Sequence, residues 1–271
     1  MKRYVFILSD GTGITAEHLS NSLLSQFHEV IFEKQTIPYI DNTNTAKEAI
    51  TKINAIYTET NTQPLVFMTI VDLDIVALIK KTSAIVFDLF NTFIEPLEQA
   101  LNTKSSYTVG QTHGMSNSQA YIHRISAVEF ALAHDDGIRS NSYKNADIIL
   151  IGVSRSGKTP SCLYLALNFG IKAANFPFTE DILDWHKLPE ILEPYKKKLF
   201  GLTIHPERLQ HIRSERSPGS RYATLQQCRK EISELEELYK KEQIPYLDST
   251  KLSIEEITTR ILAKAGLKRL V

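Results

Sequence analysis

The octet Gly152-Val-Ser-Arg-Ser-Gly157-Lys158-Thr159 narrows the folds open to this chain more than any other stretch. It fits G-x-x-x-x-G-K-[ST], a pattern that works only on a loop joining a strand to a helix. Upstream, Ala146 to Val153 is a short, β-branched apolar run, as a buried strand requires. Downstream, Ser161 to Gly170 reads as a helix that ends at a glycine. Such a unit aims backbone N–H groups and the positive end of a helix dipole at one point, which suits a phosphate chain. Gly152, Val153, Ser154, Arg155, Ser156 and Gly157 would then form the cradle. Lys158 would reach the terminal phosphates, and the Thr159 hydroxyl would be a ligand for Mg2+.

The rest of the chain repeats the strand–helix alternation. Apolar runs at residues 4–9, 31–39, 64–70 and 84–90 read as strands, with helical spacing at 15–27, 44–58 and 73–80. After the octet, strands are expected at 172–176, stopped by Pro177, at 198–204 and at 244–248. Helices are expected at 206–216, 224–241 and beyond the capping box Ser253-Ile-Glu-Glu256. The pattern predicts an α/β protein: an N-terminal α/β domain with a parallel sheet, then a C-terminal P-loop kinase-like α/β domain. Residues 102–119 are polar and without period, and the boundary is placed there, giving domains 1–104 and 105–271.

Composition excludes several classes. The 31 basic and 31 acidic side chains cancel, which argues against a nucleic-acid partner held by phosphate neutralisation. No apolar run approaches a membrane span, and the apolar stretch after Met1-Lys-Arg is too short for a signal peptide, so no membrane partner and a cytoplasmic location are expected. Cys162 and Cys228 are the two cysteines, far apart and without metal-ligand spacing; Cys162 is expected to be a small core residue.

Phosphoryl transfer needs more than a cradle: a group to orient or deprotonate the acceptor, and positive charge for the moving phosphoryl. Asp135 and Asp136, at a helix end just before the octet's strand, are candidates for the first role, although a pair before Gly137 could equally be a solvated helix-ending turn. For the second, Arg208, Arg213, Arg216 and Arg221 surround a Ser217-Pro-Gly-Ser220 break, and Arg216 and Arg221 flank it. Arginines on such a segment suit a lid over phosphates, though they could also form a solvated face. Ser9-Asp-Gly-Thr-Gly13 lacks both the dinucleotide pattern and the lysine, and reads first as a tight strand-to-helix turn. His113 and His134 stand outside any metal spacing.

Further motifs extend nearly end to end: Ser9-Asp-Gly-Thr12 with Ile14-Thr-Ala-Glu17, Ala131-Leu-Ala-His-Asp-Asp-Gly137, the octet with Pro160, and Ala173-Ala-Asn-Phe-Pro-Phe178. Leu199 to Ile204, Pro206 to Leu209 and Ser220 to Ala223 continue them. On these residues the chain resembles the family of regulatory proteins that act on phosphoenolpyruvate synthase and on pyruvate, phosphate dikinase. The resemblance implies a bifunctional enzyme. Members use ADP to phosphorylate a threonine near the catalytic histidine of their target, which inactivates it. They reverse this by phosphorolysis, in which inorganic phosphate attacks the phosphothreonine and pyrophosphate leaves. Gly157, with Ser220 to Ala223 and Gln227 to Arg229, favours phosphoenolpyruvate synthase over the dikinase as the target. A small-metabolite kinase is the competing class, and target recognition or homodimer formation is the expectation for the N-terminal domain.

Overall fold

A computed structural model describes residues 1–108, 118–137, 140–179 and 187–270, and strands and helices alternate strictly in its first half. His113 lies outside the described residues. The fold divides into two compact units, Met1–Gly114 and Met115–Val271.

The first unit runs β1 (Lys2–Ser9), α1 (Ile14–Leu24), β2 (Ile31–Ile37), α2 (Thr43–Thr60), β3 (Leu65–Thr69), α3 (Leu73–Ile79), β4 (Ile85–Asp88) and α4 (Asn91–Leu101). Its strands form a parallel sheet in the order β2-β1-β3-β4. The period of two along β1 sends Phe6 and Leu8 to one face, against Ala46, Ala49 and Ile53 of α2 and Ile75 and Ile79 of α3. Val5 and Ile7 go to the other face, with Ala16 and Leu24 of α1. Helix α4 is not expected from the pattern, because Pro96 lies inside it and removes one helical donor. The Ser9–Gly13 segment is a tight turn: Gly13 is left-handed at φ 82° and caps α1. Its polar groups are satisfied locally, the Gly11 N–H donating to the Ser9 hydroxyl at 3.1 Å and the Val71 N–H to the Asp10 carboxylate at 2.8 Å.

The second unit carries α5 (Ser118–Ala133), β5 (Ile148–Val153), α6 (Lys158–Phe169), β6 (Ala173–Phe178), β7 (Leu199–Thr203), α7 (Pro206–Arg216), α8 (Leu225–Lys241), β8 (Tyr246–Asp248) and α9 (Ile254–Ala265). Its parallel sheet has the order β6-β5-β7-β8. Strand β5 is buried along its whole length, which is why its sequence is a continuous apolar run and not an alternating one. Ile149 and Ile151 pack with Cys228, Ile232 and Leu235 of α8, while Ile148 and Leu150 pack with α5, α6 and α9. Cys162 sits in that second cluster, where burial pushes its thiol well above the usual range. The expected capping box opens α9, with Ser253 and Glu256 satisfying each other's backbone N–H.

The expected stop at Pro177 does not hold. Strand β6 continues through Pro177 to Phe178, with Gly152 as the proline's partner. An edge strand tolerates a residue without an N–H, because it is paired on one side only. The extra residues carry β6 alongside the whole of β5, so the two strands end together.

Candidate functional site

The chain leaves β5 to form β6 on one side and returns to form β7 on the other, so β5 marks the switch point of the sheet. In open α/β sheets ligands bind outside the carboxyl ends of the strands at such a point. Residues 154–157 occupy it. Gly152 is required there because a Cβ would stand 2.7 Å from the Leu202 carbonyl oxygen and 2.7 Å from the Ser156 hydroxyl. Gly157, at φ 94°, precedes α6 without any side-chain cap, and Arg155 also takes a positive φ of 76°. Left-handed residues turn successive N–H groups to one side, and uncapped first-turn N–H groups need an acceptor. The loop is braced from beneath, as the Ser249 hydroxyl donates to the carbonyls of Ser156 at 3.1 Å and Thr203 at 3.0 Å.

A cavity of about 770 Å³ opens over this loop, lined among others by Asp135, Asp136, Arg155, Lys158, Thr159 and Arg216. Ser154 and Gly157 also line it, whereas Gly152, Val153 and Ser156 are buried beneath. Arg221 is exposed and is not among the lining residues; of the two arginines flanking the break, Arg216 reaches the cavity. The arginine with a further role is Arg213. It is 1% exposed, pairs with Glu231 at 2.7 Å, donates to the Ser154 carbonyl at 3.2 Å and stacks over the Tyr222 ring. Tyr222 in turn donates its hydroxyl to Ser154 Oγ at 2.9 Å. Spacing alone could not separate Arg213 from its neighbours, since its burial depends on Glu231, which lies on the next helix, α8. Arg213→Ala is expected to destabilise the protein by about 3–5 kcal/mol in denaturant unfolding, since Glu231 would remain as an uncompensated buried charge. The R213M/E231L double variant should recover most of that loss; equal midpoints for wild type and the single variant would contradict the buried-pair account.

Lys158 is 4% exposed and folds back on its own loop, donating to the carbonyls of Gly152 at 3.0 Å and Val153 at 2.9 Å. Burial lowers its ammonium to about 8, although Asp136, Cys162 and Asp135 all favour the charge. The folded amine therefore holds fewer protons than the unfolded one between about pH 8 and 10.5. Stability linked to this group rises with pH across that window. Measured in phosphate-free buffer, wild type should gain stability relative to Lys158→Met as pH climbs from 8 to 10.5; a constant difference would refute the shift.

The two acids are separated by the fold. Asp135 and Asp136 lie in a single 3-10 turn after α5, with Asp136 left-handed at φ 48°. Asp135 accepts the Thr159 hydroxyl at 2.8 Å, and the Asn175 amide also donates to it. Asn175 further donates to Thr159 Oγ1 at 3.3 Å and accepts the Asp136 N–H at 2.9 Å. Sequence reasoning gave Asn175 no role; its one signal was a polar residue at the centre of an apolar strand. His134, just before the pair, is a buried core histidine. Its Nδ1–H donates to the Phe130 carbonyl at 2.7 Å and its ring stacks on Phe130.

Oxygen donors of this kind suit a hard divalent cation that keeps several waters and shares substrate phosphates. Thr159 and Asp135 fit Mg2+ on that ground. Among the described residues no group of three or more His, Cys, Asp or Glu could hold a metal by itself, and no helix is long and apolar enough to cross a membrane. The cavity thus combines a glycine-bounded loop at a helix N-terminus, a buried lysine, an arginine, an oxygen pair and a second carboxylate, the kinds of group phosphoryl transfer uses.

Residues 5–262 match the kinase/pyrophosphorylase family. A Legionella pneumophila (strain Corby) protein is 62% identical over 269 residues, covering 99% of both chains. A Marinobacter nauticus protein is 55% identical over 99% of both chains, and one from Pseudomonas aeruginosa 49% identical over 99% of this chain and 98% of its own. All three carry the provisional name phosphoenolpyruvate synthase regulatory protein. The chain belongs to the kinase/pyrophosphorylase family.

Proposed function

We propose that this protein regulates phosphoenolpyruvate synthase, inactivating it by ADP-dependent phosphorylation of a threonine and reactivating it by phosphate-dependent removal of that group. The observation that carries the reading is the meeting in one cavity of Lys158, Thr159 and Arg216 with both Asp135 and Asp136. The relatives' names supply the target, and the motifs shared with the regulatory-protein family supply ADP and phosphate as co-substrates.

In the forward direction the target threonine oxygen bonds to the β-phosphorus of ADP and the bond from that phosphorus to the bridging oxygen breaks. AMP leaves, and the hydroxyl proton passes to Asp136. In the reverse direction an oxygen of inorganic phosphate bonds to the phosphothreonine phosphorus. The threonine oxygen leaves with a proton from Asp136, and pyrophosphate is released. The uncapped first-turn N–H groups of α6 and the Lys158 ammonium would hold the phosphates, and Arg216 on the cavity wall would supply positive charge for the moving group. The Thr159 hydroxyl and the Asp135 carboxylate would hold Mg2+, which would supply charge neutralisation to the phosphate oxygens.

The test incubates the protein with ADP labelled on its β-phosphate and phosphoenolpyruvate synthase carrying a phosphorylated catalytic histidine. Label on a target threonine with release of AMP is expected. An unlabelled target in the presence of active synthase would sink the reading, and transfer from ATP to a small acceptor would replace it with a metabolite kinase.

A further inference from the structure

We propose that Asn175 is the positioning residue that divides the work between the two adjacent acids, committing Asp135 to the metal side of the site and leaving Asp136 to the acceptor. The proposal rests on the phosphoryl-transfer reading above and deepens it. Asn175 is 1% exposed, on β6 beside the strand that ends in the phosphate loop. Its Nδ2 donates to Asp135 Oδ1 and, at 3.3 Å, to Thr159 Oγ1, while its Oδ1 accepts the Asp136 N–H at 2.9 Å. A backbone N–H can only donate, so the amide oxygen must face Asp136 and the nitrogen must face Asp135. The orientation of the amide is thereby fixed.

The main chain of Asn175 is held as well. Its N–H donates to the His134 carbonyl at 3.2 Å, and its carbonyl accepts the Tyr143 hydroxyl at 3.1 Å. The side chain is therefore a rigid bracket between β6, the turn and the first turn of α6. Adjacent residues in a turn would otherwise be free to exchange roles. Here Asp136 is left-handed at φ 48° and ψ 34°, a conformation its short polar side chain tolerates, and its N–H is tied to Asn175 in that state. That twist separates the two carboxylates: Asp135 turns to Thr159, and Asp136 stays on the cavity wall. No other neutral side chain of this length donates to one acid and accepts from the N–H of the next. A carboxylate would lose the donor and repel Asp135; an aliphatic would do neither job.

Asn175→Asp and Asn175→Ala separate these contributions. The first keeps the acceptor for Asp136 and replaces the donor to Asp135; the second removes both without adding charge, and decides the matter if the first fails to fold. Thermal unfolding identifies the folded variants. Calorimetric binding of ADP with and without Mg2+ is compared with kcat and KM for phosphoenolpyruvate synthase. Binding of ADP without Mg2+ should match wild type. The gain in affinity that Mg2+ confers should fall by about 10–100-fold, and kcat should fall with it at unchanged KM for the synthase. A folded variant with wild-type Mg2+-dependent affinity and wild-type kcat overturns the proposal. If wild type itself transfers nothing to the synthase, the functional reading fails, and the Mg2+-dependent binding still decides the role of Asn175.

Discussion

Replacing Lys158 with alanine is expected to remove ADP-dependent transfer and phosphate-dependent release together, each by on the order of 10³-fold in kcat. The expectation comes from the geometry of a single cradle. Among the described residues Lys158 is the one lysine lining the cavity over residues 154–159, and its ammonium rests on the carbonyls of Gly152 and Val153 at 3.0 and 2.9 Å. Phosphate oxygens arriving over the loop are better acceptors than those carbonyls, because they carry formal charge. Under the proposed function the same exchange would serve the β-phosphate of ADP in one direction and inorganic phosphate in the other. Both activities are followed with one labelled phosphoryl group, on to the synthase from ADP and off it as pyrophosphate. Full release activity in the alanine variant would require a second anion site and would end the shared-cradle account. Burial sets the amine at about 8, and bound phosphates favour its charged form. Affinity for ADP should therefore decline as pH rises above that value, and the alanine variant should lack the decline.

Asp136→Asn is expected to lower kcat in both directions by about 10²–10⁴-fold, the usual range for a positioned proton-transfer group. The substitution keeps shape and removes the proton acceptor. Asp136 is exposed on the cavity wall and its N–H is tied to Asn175, so neither the turn nor the core should change. Asp135→Asn should behave differently. Asp135 accepts the Thr159 hydroxyl at 2.8 Å, so its loss should appear chiefly as weakened Mg2+-dependent binding of ADP. Pre-steady-state transfer to the synthase distinguishes the two, and wild-type turnover in both directions after Asp136→Asn would assign the proton to another group.

Much of the fold is legible in periodicity. The continuous apolar run of β5 announces a strand covered on both faces, and the alternation of runs with helical spacing announces two parallel sheets. Helix α4 and the continuation of β6 through Pro177 were hidden for one reason: local rules treat proline as a stop. A proline within a short helix removes a single donor, and one on an edge strand faces no second partner. The arginine segment shows another limit. Arg213 and Arg221 look alike in a charged stretch, yet one is 1% exposed against Glu231 and the other is in solvent.

From its sequence alone this chain is a strand–loop–helix unit of phosphate-cradling pattern set in a parallel α/β protein, because the octet and the apolar runs on either side are local and periodic. Only the tertiary structure decided which of Asp135 and Asp136 touches Thr159, which arginine reaches the cavity, and that Asn175 holds both acids. Asn175 follows Asp135 by 40 positions, and the order β6-β5-β7-β8 brings its strand beside the turn. Contacts across that separation are set by strand order and register, which depend on how the whole sheet packs, and no local period in the chain records them.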